Sequence, residues 1–230
     1  MTSKADERVR DEFNRWAEAG RGAEMETHHR PITDPMLLLM ELQPSDTVLD
    51  VGCGTGWLAR QIAAQLPEGR VAGIDVSDEM IKLAQRSSTG LESVTFLLGA
   101  ADNIPWPDSS FTKVISVESA YYWDDPSRAI RETFRILRPG GSAWILINFY
   151  RDNPHCHQWV DELTVPVKLL AADEWARLFR DAGFQQVAHH RIPDRSPTPE
   201  VYGGHWFRDR EQLQKFKDEG ALLVYGVRQA

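Results

Sequence analysis

The sequence predicts an α/β protein: a doubly wound, mostly parallel sheet with helices on both faces and a helical cap at its N-terminal end. Three observations predict it. Short apolar runs rich in β-branched residues alternate with amphipathic stretches of helical period. The first run breaks into a glycine turn and then a helix, the opening of a nucleotide-binding βαβ unit. The last two runs lack an ordinary crossover helix between them, so the last strand is expected to insert antiparallel.

Composition fits one domain of ordinary size. The 230 residues are 42% hydrophobic and 10% aromatic, enough to bury a real core. Acidic residues outnumber basic ones, 34 to 26, for a net charge of −8, which disfavours a nucleic-acid partner. Two cysteines, Cys53 and Cys156, are too few for a disulfide framework or a cysteine-rich zinc site. No apolar run reaches membrane-spanning length and the first residues carry no signal-peptide core, so a cytoplasmic protein without membrane insertion is expected. The pattern divides into a cap, residues 1–44, and a ligand-binding domain, residues 45–230, with lid insertions at about 150–170 and 193–219.

Residues 6–19 carry Val9, Phe13 and Trp16 at helical spacing and stop at Gly20-Arg-Gly22. Met25 to His29, with the prolines at 31 and 35, read as a loop before a second apolar helix containing Leu37, Leu38, Met40 and Leu42. Val48 to Val51 is the first buried strand, and Gly52, Gly54 and Gly56 form its turn. Glycines there, with Cys53 as a small companion, let backbone approach a ligand where a Cβ would collide. The helix that follows, with Leu58, Ile62 and Leu66 on one face, turns unpaired N–H groups toward the same ligand. The spacing is G-x-G-x-G, and Trp57 stands where a dinucleotide fingerprint has its last glycine, which weakens an NAD reading. Asp50, at the carboxyl end of the strand, suits a ligand with a cationic amine better than a pyrophosphate.

Arg70 to Val76 is the second buried strand. Asp75 stands at its end, roughly 20 residues past the glycines, where an acid accepts hydrogen bonds from both ribose hydroxyls. Ser77 or Asp78 caps the next helix, and Val76 and Met80 offer apolar surface to a flat base. Val94 to Leu98 is the third strand, followed by Ala101, Asp102 and Asn103, either a turn pair or part of the ligand site. A proline-stiffened loop from Ile104 feeds the fourth strand, which ends at Glu118 and three aromatics, Tyr121, Tyr122 and Trp123, suited to a flat or apolar molecule. A helix from Arg128 to Leu137, stopped by Arg138-Pro-Gly-Gly141, precedes the fifth strand, Ser142 to Phe149. Tyr150, His155, His157 and Trp159 suggest a loop and short helix over the pocket; the His-Cys-His run lacks further ligands at metal spacing, so no metal is expected. A helix from Asp173 to Gly183, a sixth strand over 184–192, a polar insertion over 193–207, a charged helix over 208–219 and a seventh strand, Leu222 to Val227, complete the chain.

The run V-L-D-V-G-C-G-T-G at 48–56 resembles the first signature of the class I S-adenosylmethionine (SAM) methyltransferases. The resemblance continues through Asp75, Asp102, the I-P-x-P-D-x-S-F stretch from Ile104, and Leu137-Arg-Pro-Gly-Gly141, with Thr112 where an acid is usual. It covers about residues 45–150 firmly and 170–230 loosely, and is similar to small-molecule enzymes of the ubiquinone- and menaquinone-biosynthesis type. It implies a Rossmann-like, seven-stranded sheet with the last strand antiparallel, SAM as cofactor and S-adenosylhomocysteine as product. It also implies Asp50 and Gly52, Cys53, Gly54 and Gly56 at the amino-acid end of SAM, Asp75 at the ribose, and Val76 and Met80 against adenine. Asp102 would accept the adenine amino group beside the Ala101 or Asn103 amide, and Glu118 would meet the methionine amine. The elements that nucleic-acid base methyltransferases carry after the fourth strand are absent, so the acceptor is expected to be a small aromatic or apolar molecule. Trp16, Tyr121, Tyr122, Trp123 and Tyr150 are expected around it. A base is needed only if the acceptor must lose a proton, and the candidates are His28, His29, Glu118 and Tyr121, with His155 and His157 behind them. The alternatives are a SAM-binding protein of this fold without turnover and an NAD(P)-dependent oxidoreductase. Monomer and homodimer both stay open.

Overall fold

The computed structural model describes residues 4–229. Seven strands form one sheet: β1 (Thr47–Val51), β2 (Arg70–Asp75), β3 (Val94–Leu98), β4 (Phe111–Val117), β5 (Leu137–Ile147), β6 (Gln185–Ile192) and β7 (Ala221–Val227). Their order across the sheet is β3-β2-β1-β4-β5-β7-β6. The pairs from β3 through β5 are parallel, and β7 runs antiparallel between β5 and β6, as expected. Around the sheet lie α1 (Lys4–Glu18), α2 (Gly22–Leu39), α3 (Trp57–Ala63), α4 (Asp78–Ser87), α5 (Pro126–Ile136), α6 (Trp159–Glu162), α7 (Ala172–Ala182) and α8 (Arg210–Glu219).

The central strands read as near-continuous apolar runs because both faces are covered. On one face Ile32 and Met36 of α2, Leu58 and Ile62 of α3, and Ile81 of α4 pack with Val48, Val71 and Phe96. On the other, Ile130 of α5 and Trp175 and Phe179 of α7 pack with Leu49, Val114 and Val224. Strand order reverses between β1 and β4, which opens a crevice beyond their carboxyl ends. That reversal positions the site.

Three expectations need correction. Residues 22–39 are one helix, not a loop and a helix, and Pro31 and Pro35 both lie inside it. Each internal proline costs about 3 kcal/mol. Against that, Ile32, Met36, Leu37 and Met40 are at most 7% exposed along one stripe, and burying each such side chain contributes roughly 1.5–3 kcal/mol. Packing outweighs the broken ladder. Second, β5 begins at Leu137, so Arg138 to Gly141 belongs to the strand instead of preceding it. A register shift between Phe111 and Lys113 on β4 absorbs the irregularity, and Gly140 takes φ +83° within it. Arg228, from the tail of β7, donates to the carbonyls of Phe134, Arg135 and Leu137 at 2.9, 2.9 and 2.7 Å, which satisfies the end of α5. Third, neither insertion expected to act as a lid lines the pocket described below. Their aromatics close on one another: Trp159 lies 5.7 Å from Trp206, 5.6 Å from Phe207 and 5.2 Å from Phe216, ring centre to ring centre. Trp159 Nε1 and Gln158 Nε2 both donate to the Trp206 carbonyl at 2.9 Å.

Candidate functional site

β1 ends at Val51, and the Gly52 and Cys53 amides donate to the Ile74 carbonyl on β2 at 2.8 and 2.9 Å. The turn needs its glycines for different reasons. Gly52 has φ +77°, and a Cβ there would lie 2.0 Å from Ser119 Oγ, so its bareness lets the ends of β1 and β4 close together. Gly56 has φ +73°, and a Cβ there would lie 2.4 Å from the Phe96 ring, which makes it a packing glycine between α3 and the sheet. Gly54 has φ +51° with only Met25 Cε near, at 3.9 Å, so its backbone faces open space.

Asp75 closes the turn from the neighbouring strand. Its Oδ2 accepts from the Gly54 amide and its Oδ1 from the Ser77 amide, both at 2.9 Å. Ser77 is the cap of α4, its Oγ accepting from the Met80 amide at 3.0 Å. Beyond β3, Asp102 sits on a turn closed by the Asn103 amide on the Ala100 carbonyl at 3.1 Å, with Arg128 Nη1 3.6 Å from its Oδ2. Beyond β4, Glu118 adopts φ +54°, rare for a side chain with a Cβ. Its Oε1 accepts from the Asn148 amide at 2.5 Å and its Oε2 from the Tyr121 hydroxyl at 3.3 Å.

These strand ends surround one pocket. Of the residues expected from sequence, Gly52, Cys53, Gly54, Asp75, Val76, Ala101, Asp102, Glu118, Tyr122, Trp123 and His29 line it. Asp50 lies behind them within β1, 2% exposed. Gly56 and Met80 are packing residues, Met80 wholly buried under α4. Asn103 and His28 are exposed outside the lining. Tyr121 reaches the site only through its bond to Glu118. Tyr150 is wholly buried, its hydroxyl donating to the Gly220 carbonyl at 2.8 Å and its ring under the Arg191 guanidinium at 4.4 Å. Trp16 turns along its own helix, Nε1 donating to Glu12 Oε1 at 2.8 Å with Arg21 over the ring. His157 bonds the Arg151 carbonyl at 2.8 Å while Cys156 is wholly buried, so the His-Cys-His run does not converge. Among the described residues no group of three or more His, Cys, Asp or Glu is placed to hold a metal ion.

The lining that sequence reasoning missed comes from the cap: Asp6, Val9 and Phe13 of α1 and Met25 of α2. The signal was partly visible, since Val9 and Phe13 lie one turn apart on the stripe that also contained Trp16. Phe13 meets Tyr122 edge-on, with ring centres 5.1 Å apart.

The electrostatics are one-sided. Asp6, Asp75, Asp102, Glu118 and Asp124 line the pocket, and among the described lining residues none is lysine or arginine. Burial pushes Asp75 up against the pull of its two amide donors, and raises Asp102 against the opposing pull of Arg128. Burial raises Glu118 to about 7, and burial with the nearby Asp75 raises Asp50 to about 8. His29 goes the other way: burial, helped by His28, lowers it to about 4, so it is neutral at pH 7. An acid-lined cavity without basic residues repels a pyrophosphate and welcomes a cation. The bare amides and strand-end acids fit SAM, whose sulfonium and amine are cationic and whose ribose and adenine offer donors.

A methyltransferase-domain family model matches residues 49–145. An O-methyltransferase, rstn1, of Aspergillus nomiae is 34% identical over 65% of this chain and 68% of its own length. The chloroplastic 2-methyl-6-phytyl-1,4-hydroquinone methyltransferase 2 of Oryza sativa is 31% identical over 66% of this chain and 44% of its own. This chain spans about half the length of several curated relatives that it matches. Among solved structures, the Haloferax volcanii protein held in complex with the Trm112 methyltransferase activator is 32% identical, covers 95% of this chain and 98% of its own, and superposes with a TM-score of 0.87.

Proposed function

We propose a reaction from one premise: the chain belongs to the class I SAM-dependent methyltransferases. It transfers the methyl group of SAM to a small aromatic or apolar acceptor held beneath α1. The observation that carries this reading is the pocket at the β1–β4 reversal, lined by acids and aromatics and free of lysine and arginine among its described residues.

In this reading the Gly52–Gly54 backbone holds the amino-acid end of the cofactor, Asp75 takes the ribose hydroxyls in place of its present amide donors, and Asp102 takes the adenine amine. Bound there, the cofactor supplies an electrophilic methyl group on a sulfonium. Phe13, Tyr122 and Trp123 hold the acceptor in line and exclude water, which supplies most of the rate acceleration in a displacement whose leaving group needs no acid. Glu118 accepts the acceptor's proton on the carboxylate that Tyr121 and the Asn148 amide orient. The two relatives named as an O-methyltransferase and a hydroquinone methyltransferase support an acceptor hydroxyl or an aromatic ring.

The test is thermal shift with SAM and with NADH, followed by a panel of phenols and hydroquinones with methyl-labelled SAM. A rise in Tm with SAM alone, and label in a phenol or hydroquinone, is expected. Stabilisation by NADH alone would overturn the premise. SAM binding without label transfer to any acceptor would favour a binding protein of this fold.

A second reading concerns assembly. The Haloferax volcanii protein is similar to this chain over nearly its whole length and was captured with the Trm112 activator. That supports a complex between this chain and an activator of the same kind, checked by whether the two purified proteins elute together from gel filtration.

A further inference from the structure

The sheet has two edge strands, and they are protected very differently. β6 reads Q-Q-V-A-H-H-R-I. Gln186 takes φ +52° at a register shift between Gln185 and Ala188, which bends that edge. Its side chains are polar and engaged: His189 lies 3.4 Å from Asp173, and Arg191 pairs with Asp152 and Glu219 at 3.6 and 3.7 Å. These are the devices by which proteins keep an edge from pairing with another chain.

β3 has none of them. Residues 94–100, V-T-F-L-L-G-A, carry no charge, no proline and no bulge, and pair in regular register with β2 on one side only. Gln85 Nε2 donates to the Phe96 carbonyl at 3.1 Å, but Leu97 and Leu98 follow it 39% and 56% exposed, with Leu91 nearby in sequence at 44%. A bare, uncharged edge ending in two exposed leucines is an aggregation hazard unless another strand covers it.

We propose that β3 is the docking strand for the activator protein of the assembly reading above, on which this inference rests. The activator adds its own edge strand beside Val94–Leu98, and its apolar side chains cover Leu97 and Leu98. The position has a consequence for the cofactor. Gly99, Ala101 and Asp102 follow β3 directly and line the pocket, so a strand bound at β3 holds the segment that would receive adenine. Activator binding therefore tightens SAM binding, and SAM tightens activator binding by the same factor.

The experiment uses the full chain and a purified Trm112 activator from the same organism. Calorimetry measures their affinity for wild type, for Leu97→Lys and Leu98→Lys on β3, and for Gln185→Lys on β6 as the control edge. Retained Tm and SAM binding by each variant alone certify folding. The expected result is a one-to-one complex that either β3 lysine weakens by about tenfold or more and the β6 lysine leaves unchanged. SAM affinity is expected to rise at least about fivefold in the complex. A wild-type complex insensitive to both β3 lysines would overturn the docking strand while the assembly reading stands. No wild-type complex would overturn the assembly reading itself. Self-association of the chain, abolished by Leu98→Lys, would put a second copy on β3 instead and overturn the proposed occupant.

Discussion

The two walls of the pocket are built by different rules. The wall from β1 and β2 is backbone: three glycines at positive φ, amides aimed at Ile74 and Asp75, and an acid fixed at a strand end. The wall from α1 is side chain laid over a gap. It is latched by Asn14, whose Nδ2 donates to Asp78 Oδ1 at 2.9 Å and whose Oδ1 accepts from Ser77 Oγ at 2.6 Å, and by Arg8 donating to the Thr164 carbonyl at 2.9 Å. A wall made of backbone tolerates almost no change and binds what every relative of the fold binds. A wall made of docked side chains can be exchanged without unfolding the sheet, and so it suits the molecule that differs from one enzyme to the next.

The sharpest way to break this contrast is at the glycines. Gly52→Ala forces a Cβ to within 2.0 Å of Ser119 Oγ at φ +77°, whereas Gly54→Ala meets nothing nearer than 3.9 Å and carries only the strain of φ +51°. Gly52→Ala is expected to lose about 3 kcal/mol or more of unfolding free energy, and measurable SAM binding with it. Gly54→Ala should lose about 1–2 kcal/mol. Urea melts that found the two equal would refute the separate roles given to these glycines.

Next in size is Glu118. Its carboxyl titrates near 7, so the base form grows as pH rises, and methylation of a phenol should climb between about pH 6 and 8 and then level off. Glu118→Gln should lower kcat by about 100-fold or more and flatten that climb, with the SAM Kd little changed. If the SAM Kd collapses and the pH profile keeps its shape, Glu118 binds the methionine amine instead. Asp75→Ala follows. Hydrogen bonds to a charged acceptor contribute roughly 1.5–3 kcal/mol, so calorimetry should show SAM bound about 10- to 150-fold more weakly. A loss under twofold would remove Asp75 from the ribose.

The contrast also explains how much could be read from the sequence. Backbone demands leave marks that side-chain packing cannot erase: positive φ requires glycine at 52, 54 and 56, and burial on both faces requires the apolar runs of β1, β2 and β4. Those marks fall in the right order, and the sheet followed from them, down to the antiparallel β7. Aromatics carry no such mark. Tyr150, Trp159 and Trp206 read as pocket residues or lids in a linear pattern, yet an aromatic core and an aromatic pocket have the same composition. Only the packing of the two insertions on each other separates them. The prolines of α2 misled for a related reason, since local propensity pointed to a loop and the buried stripe from Ile32 to Met40 overruled it.

The smallest effect sharpens the cap wall, where sequence left Phe13 and Trp16 on one stripe. Phe13 lines the pocket and meets Tyr122 edge-on, a contact whose geometry is worth about 0.5–1.5 kcal/mol beyond the area it buries. Phe13→Ala should therefore raise the acceptor KM by about two- to tenfold and leave the SAM Kd unchanged, because Asp75, Asp102 and the glycine turn do not touch it. Trp16→Ala should change neither constant by more than about twofold, since its indole bonds Glu12 on its own helix and lies under Arg21, outside the lining. Steady-state kinetics on the two variants with one phenol acceptor decides between them. A larger KM effect from Trp16 would mean that α1 turns about its axis when the acceptor enters, bringing the indole inward, and the side-chain wall would then be mobile as well as exchangeable.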